Sequence, residues 1–143
     1  MISKRSFVAY SKAVDTAADL CERKTQALWN KVLSEAGGDG AVVRNAMIAA
    51  LPALVATYCD QAAEAAASYY ERERGAEWGG TFNARLAKVL PDRQIEKNIR
   101  YCMQYYFDGT PERSIIELRK TMRMHVQNAA RNTMMENMWR DDG

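Results

Sequence analysis

The sequence predicts an all-α protein, a long antiparallel helical hairpin with two or three further helices packed on it. Three observations predict this. Apolar residues recur three or four positions apart along nearly the whole chain, while Val, Ile, Thr and aromatic residues never alternate with polar ones for more than a few positions. Glycines and prolines gather at a few places where helices would stop: Gly37, Gly38 and Gly40; Gly75, Gly79 and Gly80; Pro91; Gly109 and Pro111. A chain of 143 residues with 48% hydrophobic content can bury one real core, so residues 1–143 are read as a single helical domain. The hairpin occupies 1–74 and a second helical half occupies 83–140.

The first helix is expected from about Ser3 to Ala36. Phe7, Tyr10, Val14, Ala17, Cys21, Leu28 and Val32 form its apolar stripe, with Asp15, Asp19, Glu22, Arg23 and Lys31 mostly off it. Gly37, Gly38 and Gly40 end it, because glycine supplies the left-handed conformation of a helix C-terminus, and Asp39 caps the next helix. That helix is expected from Ala41 to Arg74, burying Val43, Met47, Ala50, Leu54, Tyr58, Ala62, Ala65 and Tyr69. The alanines around 62–67 allow close helix approach, and Pro52, lacking an N–H, predicts a kink. Gly75, Gly79 and Gly80 close the helix, leaving Trp78 and Phe82 in a loop, either plugging the end of the bundle or anchoring a partner.

A short helix is expected over Asn83–Leu90, stopped by Pro91. Another starts near Asp92, carries Ile95, Ile99, Cys102, Met103 and Tyr106 on one side, and ends at Phe107-Asp108-Gly109. Thr110-Pro111-Glu112 is a helix start: a capping hydroxyl, proline at the first position, and an acid in the first turn. The last helix runs to about Arg140 on a stripe of Ile115, Leu118, Met122, Val126, Ala129 and Thr133.

Composition excludes much chemistry. The three cysteines, Cys21, Cys59 and Cys102, are widely spaced, which excludes a disulfide framework and a CxxC metal site and reads as small core residues in a reducing compartment. No phosphate loop, dinucleotide fingerprint or GxSxG is present, and Gly37-Gly38-Asp39-Gly40 lacks the Lys and Ser/Thr of a phosphate loop. Asp60 and Glu64 share a helix face, but His125 has Met122, not Glu, three residues before it, so the carboxylate–histidine pattern of a bundle metal site is missing. His125 is read as a boundary residue beside the stripe. No catalytic residue, metal or cofactor is expected.

Positions 1–10 carry Lys4 and Arg5 but no long apolar stretch, so no targeting signal is read there. The apolar run Ala46–Cys59, broken by Pro52 and Thr57, is shorter than the roughly 20 residues a membrane span requires. The expectation is a soluble protein with no membrane partner.

Charge is uneven. The net charge is +2, with −1 on residues 1–84 and +3 on residues 85–143. Arg113, Arg119, Lys120, Arg123 and Arg131 all lie on the last helix, as a solvated face or as a row that meets phosphates or an acidic surface. Met122, Met124, Met134, Met135 and Met138 crowd the same helix, with Trp139 beside them. They cannot share one face, so some are expected at the surface, where adaptable methionines serve partner contacts.

The second half carries the string Gln94-Ile95-Glu96-Lys97-Asn98-Ile99-Arg100-Tyr101. After a break follows a helix with Leu118, Met122 and Val126 that ends in Asn128-Ala129-Ala130-Arg131-Asn132-Thr133-Met134-Met135-Glu136-Asn137. This resembles the amino-terminal helical region of tailed-phage minor head proteins of the Mu F-like type, as encoded by actinobacterial phages and prophages. There, an Asn-[Val/Ile]-Arg-[Trp/Tyr] segment precedes a helix ending in Gly/Ala-Arg-x-Thr-[Ile/Met]-x-x-Asn and an Arg-Asp stretch, matched here by Arg140-Asp141. The resemblance covers roughly residues 94–141. The family usually continues into a Trp-Arg segment and a Cys-x-x-Cys-type region; these 143 residues are expected to be its amino-terminal part or a shortened relative.

The resemblance implies a structural role in the phage head near the portal, with no catalytic residue. The expected function is a minor capsid or head-assembly protein, found in the host cytoplasm during assembly and then in the virion head. Expected partners are head or portal proteins, a second copy of the chain, and DNA through weak contact. Trp78, Phe82, Met134, Met135, Met138 and Trp139 are the expected protein-contact residues. The alternative is a small phage-encoded helical protein that binds and inhibits a host factor.

Overall fold

A computed structural model describes residues 4–78 and 92–142, with side chains described for 7–73 and 93–138. The described residues form four helices: α1 (Lys4–Ala36), α2 (Gly40–Trp78), α3 (Asp92–Phe107) and α4 (Pro111–Asp142). At 1.5 Å per residue α1, α2 and α4 reach about 50, 58 and 48 Å, whereas α3, of 16 residues, reaches about 24 Å. The predicted all-α class and hairpin are thus present. The expected short helix at 83–90, its stop at Pro91, and Phe82 lie outside the described residues.

Contacts across the bundle fix the directions. Phe7 and Tyr10 near the start of α1 meet Tyr69 near the end of α2, so these helices are antiparallel. Arg119 of α4 reaches Gln26 of α1, and Arg123 reaches Asp19 and Glu22, so α4 is antiparallel to α1. The Tyr70 hydroxyl donates to the Asn137 carbonyl at 3.3 Å, which places α4 parallel to α2. Ser114 and His125 of α4 meet Cys102 and Asn98 of α3, a second antiparallel pair. The three long helices therefore surround one core, and α3 lies over α2 and α4 along part of their length.

The turns follow the chemistry that predicts them. Gly37 and Gly38 have φ of 60° and 85°, and the Asp39 carboxylate accepts from the Ala41 and Val42 N–H groups at 3.0 and 3.4 Å. Gly40, expected among the helix-ending residues, is instead the first residue of α2. A Cβ there would stand 2.7 Å from Cε1 of Phe107 and 2.9 Å from Cδ1 of Tyr106, so the hairpin turn sits directly on the end of α3. Gly109, with φ of 93°, ends α3 in a paired motif: the Thr110 N–H donates to the Tyr105 carbonyl at 2.8 Å and the Gly109 N–H to Tyr106 at 3.2 Å. The Thr110 hydroxyl, expected to cap α4, turns back and donates to the Tyr105 carbonyl at 2.9 Å.

Helix α2 departs most from expectation. It runs through Arg74 and Gly75 to Trp78, so Trp78 is a helical residue rather than a loop residue. It is continuous through Pro52. Its buried face is Val43, Met47, Leu51, Val55, Cys59, Ala62 and Ala66, while the expected Ala50 is exposed and Leu54, Tyr58 and Ala65 are half-buried. Gly40–Glu73 is long and apolar enough to cross a membrane by length and composition. Packing against α1, α3 and α4 covers part of that apolar surface, burying 28% of its most apolar stretch. On α1, Trp29 and Thr25 are buried where Leu28 was expected to lead, and Phe7 is exposed. Trp29 packs edge-on against Tyr106 at 6.1 Å between ring centres.

Candidate functional site

The strip of α4 that faces away from the core is the candidate contact surface. Met122 is fully buried and Met134 half-buried against the core, which leaves Met124, Met135 and Met138 exposed at 49, 43 and 49%. At 100° per residue these three, with Arg131 between them, fall within an arc of about 60° on the helix. They extend over about 21 Å of helix, from Met124 to Met138. Met135 and Met138 were expected in this role, and Met134 contributes mostly to the core. Met124 was not singled out; its heptad relation to Arg131 and Met138 is the signal that finds it. The side chains of Trp78 and Trp139 lie outside the described residues, as does Phe82.

The five basic residues of α4 do not form one free band. Arg123 pairs with Asp19 at 2.5 Å and with Glu22 at 3.4 Å, bridging α4 to α1. The hydrogen bond that Arg123 donates to Asp19 is the main cause that raises the Arg123 pKa; burial opposes it, and the charges of Asp19, Glu22 and Asp15 add to it. Arg119 donates to the Gln26 side-chain carbonyl at 3.3 Å. The Arg113 guanidinium lies 4.3 Å from the centre of the Tyr105 ring, a cation–π contact to α3. Lys120 stands 4.0 Å from Glu117 with its side chain 69% exposed, and Arg131 is exposed close enough to Tyr10 to oppose the rise that burial gives its phenol. Arg113, Lys120 and Arg131 are thus the exposed members of the row.

Other groups are structural in their surroundings. Burial pushes the Cys21 thiol up to about 11 and Cys59 up to about 12, and Cys102 is raised for the same reason against a hydrogen bond from Thr121. Thiols held neutral in this way are poor nucleophiles. Asp60 and Glu64 are exposed on α2. His125, read as a boundary residue, is 5% exposed, with its Nε2 2.7 Å from the side-chain nitrogen of Asn98. Among the described residues no group of three His, Cys, Asp or Glu side chains could hold a metal ion. Ser114 is buried too, and its hydroxyl donates to the Cys102 carbonyl at 2.7 Å.

Comparison with known proteins gives one match. The family model described as VG15 protein matches residues 1–143, and the chain belongs to that family of phage-type proteins. No curated protein matches the chain, and no solved structure matches it.

Proposed function

We propose that this member of the VG15 protein family is a structural component of the phage head, a minor capsid or head-assembly protein that acts through protein contacts near the portal. The observation that carries the reading is the exposed strip of Met124, Met135 and Met138 around Arg131 on α4. Large apolar side chains aligned on a long helix are a costly use of surface unless a partner covers them. Methionine adapts its shape to such a partner. The helix that bears the strip is braced on its other sides by α1, α2 and α3, so the strip is presented on a stiff support. The resemblance of residues 94–141 to minor head proteins supports the same partner class.

The test is co-assembly. The variant Met124→Ser/Met135→Ser/Met138→Ser changes only exposed positions and should stay folded, with loss of incorporation when head and portal proteins are co-expressed. Undiminished incorporation would overturn the assignment of the strip. Recovery of the wild-type chain as a monomer bound tightly to one host protein, and absent from heads, would favour the inhibitor reading instead. Contact with DNA through Lys120, Arg131 and Arg113 would appear as retention that falls steeply with salt. Salt-independent retention, or none, would remove DNA from the partners.

A further inference from the structure

Among the described residues helix α3 is the shortest of the four, and its seam with α4 holds the histidine. Ile95, Ile99, Cys102 and Met103 provide the apolar part, all buried. Two polar contacts pin it, the buried one from Ser114 to the Cys102 carbonyl and a part-buried one between Asn98 and His125. His125 is the chain's single histidine, so this seam holds the one side chain whose ordinary titration falls between pH 5 and 8.

We propose that α3 is a proton-gated flap, held closed on α4 while the His125 ring is neutral and loosened by mild acid ahead of the rest of the bundle. In the closed state the Asn98 amide nitrogen faces Nε2, so the ring accepts a hydrogen bond and must be neutral. A proton on Nε2 sets two donors against each other. Turning the amide over would offer its oxygen, yet would still leave a full charge on a ring 5% exposed, which is expensive without a counter-charge.

No carboxylate supplies one. Asp19 and Glu22 on α1 are engaged by Arg123. On α2 the groups level with His125, taken from the Tyr70–Asn137 contact, are Tyr58, the neutral Cys59 and Asp60, whose side chain is exposed to solvent. On α3, Cys102 is buried and neutral, and Lys97 and Tyr101 are exposed. Burial alone accounts for the lowered pKa of His125. The opened state binds the proton more readily than the closed one, so closure is fully favoured above pH 6.5. It weakens as pH falls toward the ring's own lower pKa. Two features make α3 the element that gives way: its short length, and its position on the outside of the three-helix core.

This inference is independent of which protein α4 contacts. Its test is amide hydrogen exchange on the full chain between pH 7.5 and 5.0, each rate divided by the intrinsic rate at that pH. Aspartates and glutamates stay ionised across most of this range. Protection of residues 92–107 should fall by up to tenfold per pH unit below pH 6.5, the limit for one coupled proton, while the paired parts of α1 and α2 keep theirs. His125→Gln retains an acceptor for Asn98 without a titrating ring and should flatten the dependence. Protection of α3 that is flat, that falls in step with α1 and α2, or that falls equally in His125→Gln overturns the proposal. Should that variant not fold, the ring-proton resonance of the single histidine decides: a midpoint below 6.5 supports the gate, and one at or above 6.5 overturns it.

Discussion

Two of the three seams of helix α4 are built on opposite principles. Against α1 it is joined by charge: Arg123 to Asp19 and Glu22, and Arg119 to Gln26, with Asp19 about half exposed. Against α3 it is joined by buried apolar residues and by two short contacts between neutral groups. Water explains the division. Ions stay where solvent still reaches them, because removing them fully costs more than pairing returns, whereas hydroxyls and amides can be buried once each finds a partner. The consequence is that salt should act on one seam and protons on the other.

The largest effect is expected from the apolar part of the α3 seam. Met103→Ala removes a fully buried side chain of α3 from the core and should cost about 2–5 kcal/mol, measured by urea unfolding. Gly40→Ala probes the place where the hairpin turn meets α3. The added methyl must displace both Phe107 and Tyr106; Phe107 is half exposed and can yield, but Tyr106 is packed on the core against Trp29, so the cost should be about 1–3 kcal/mol. Ser114→Ala removes the donor that crosses from α4 to the Cys102 carbonyl, which keeps its helical partner, and should cost about 0.5–1.5 kcal/mol. Met103→Ala and Ser114→Ala should both reduce exchange protection of α3 more than that of α1. Equal loss in α1 would mean that the two seams open together and the comparison fails.

The difference between the seams also explains what the sequence disclosed. Helix ends were readable where local chemistry sets them, at Gly37-Gly38-Asp39 and at Gly109-Thr110-Pro111, because a left-handed glycine or a capping acid acts within a few residues. The buried face of α3 was readable because Ile95, Ile99, Cys102 and Met103 stand against charged neighbours. The face of α2 was readable at Val43, Met47, Ala62 and Tyr69, all buried as expected, but not between Met47 and Ala62. Its first half is rich in Ala, Val and Leu on every side, so periodicity selects no face and Leu51, Val55 and Cys59 were displaced by their neighbours. Gly75 did not stop the helix, since glycine permits a turn without enforcing one. The basic row was misleading for another reason: the partners of Arg123 lie about a hundred residues away, beyond any local pattern. The exposed methionine strip was half legible, and Met124 required knowing which face of α4 the core takes.

The smallest effect belongs to the ionic seam. Arg123→Ala deletes an ion pair whose acidic partners remain in contact with water, Asp19 above all, so neither carboxylate is stranded in the core. Exposed and half-exposed pairs of this kind contribute about 0.2–1 kcal/mol, and screening reduces even that as salt approaches 1 M. The wild-type chain should therefore lose its small advantage over Arg123→Ala when unfolding is repeated at high salt, while Ser114→Ala keeps its deficit unchanged. A loss of several kcal/mol at Arg123 that persists in high salt would show the pair to be effectively desolvated. The seam against α1 would then be a second buried polar seam, and the contrast that assigns salt to one side of α4 and protons to the other would collapse.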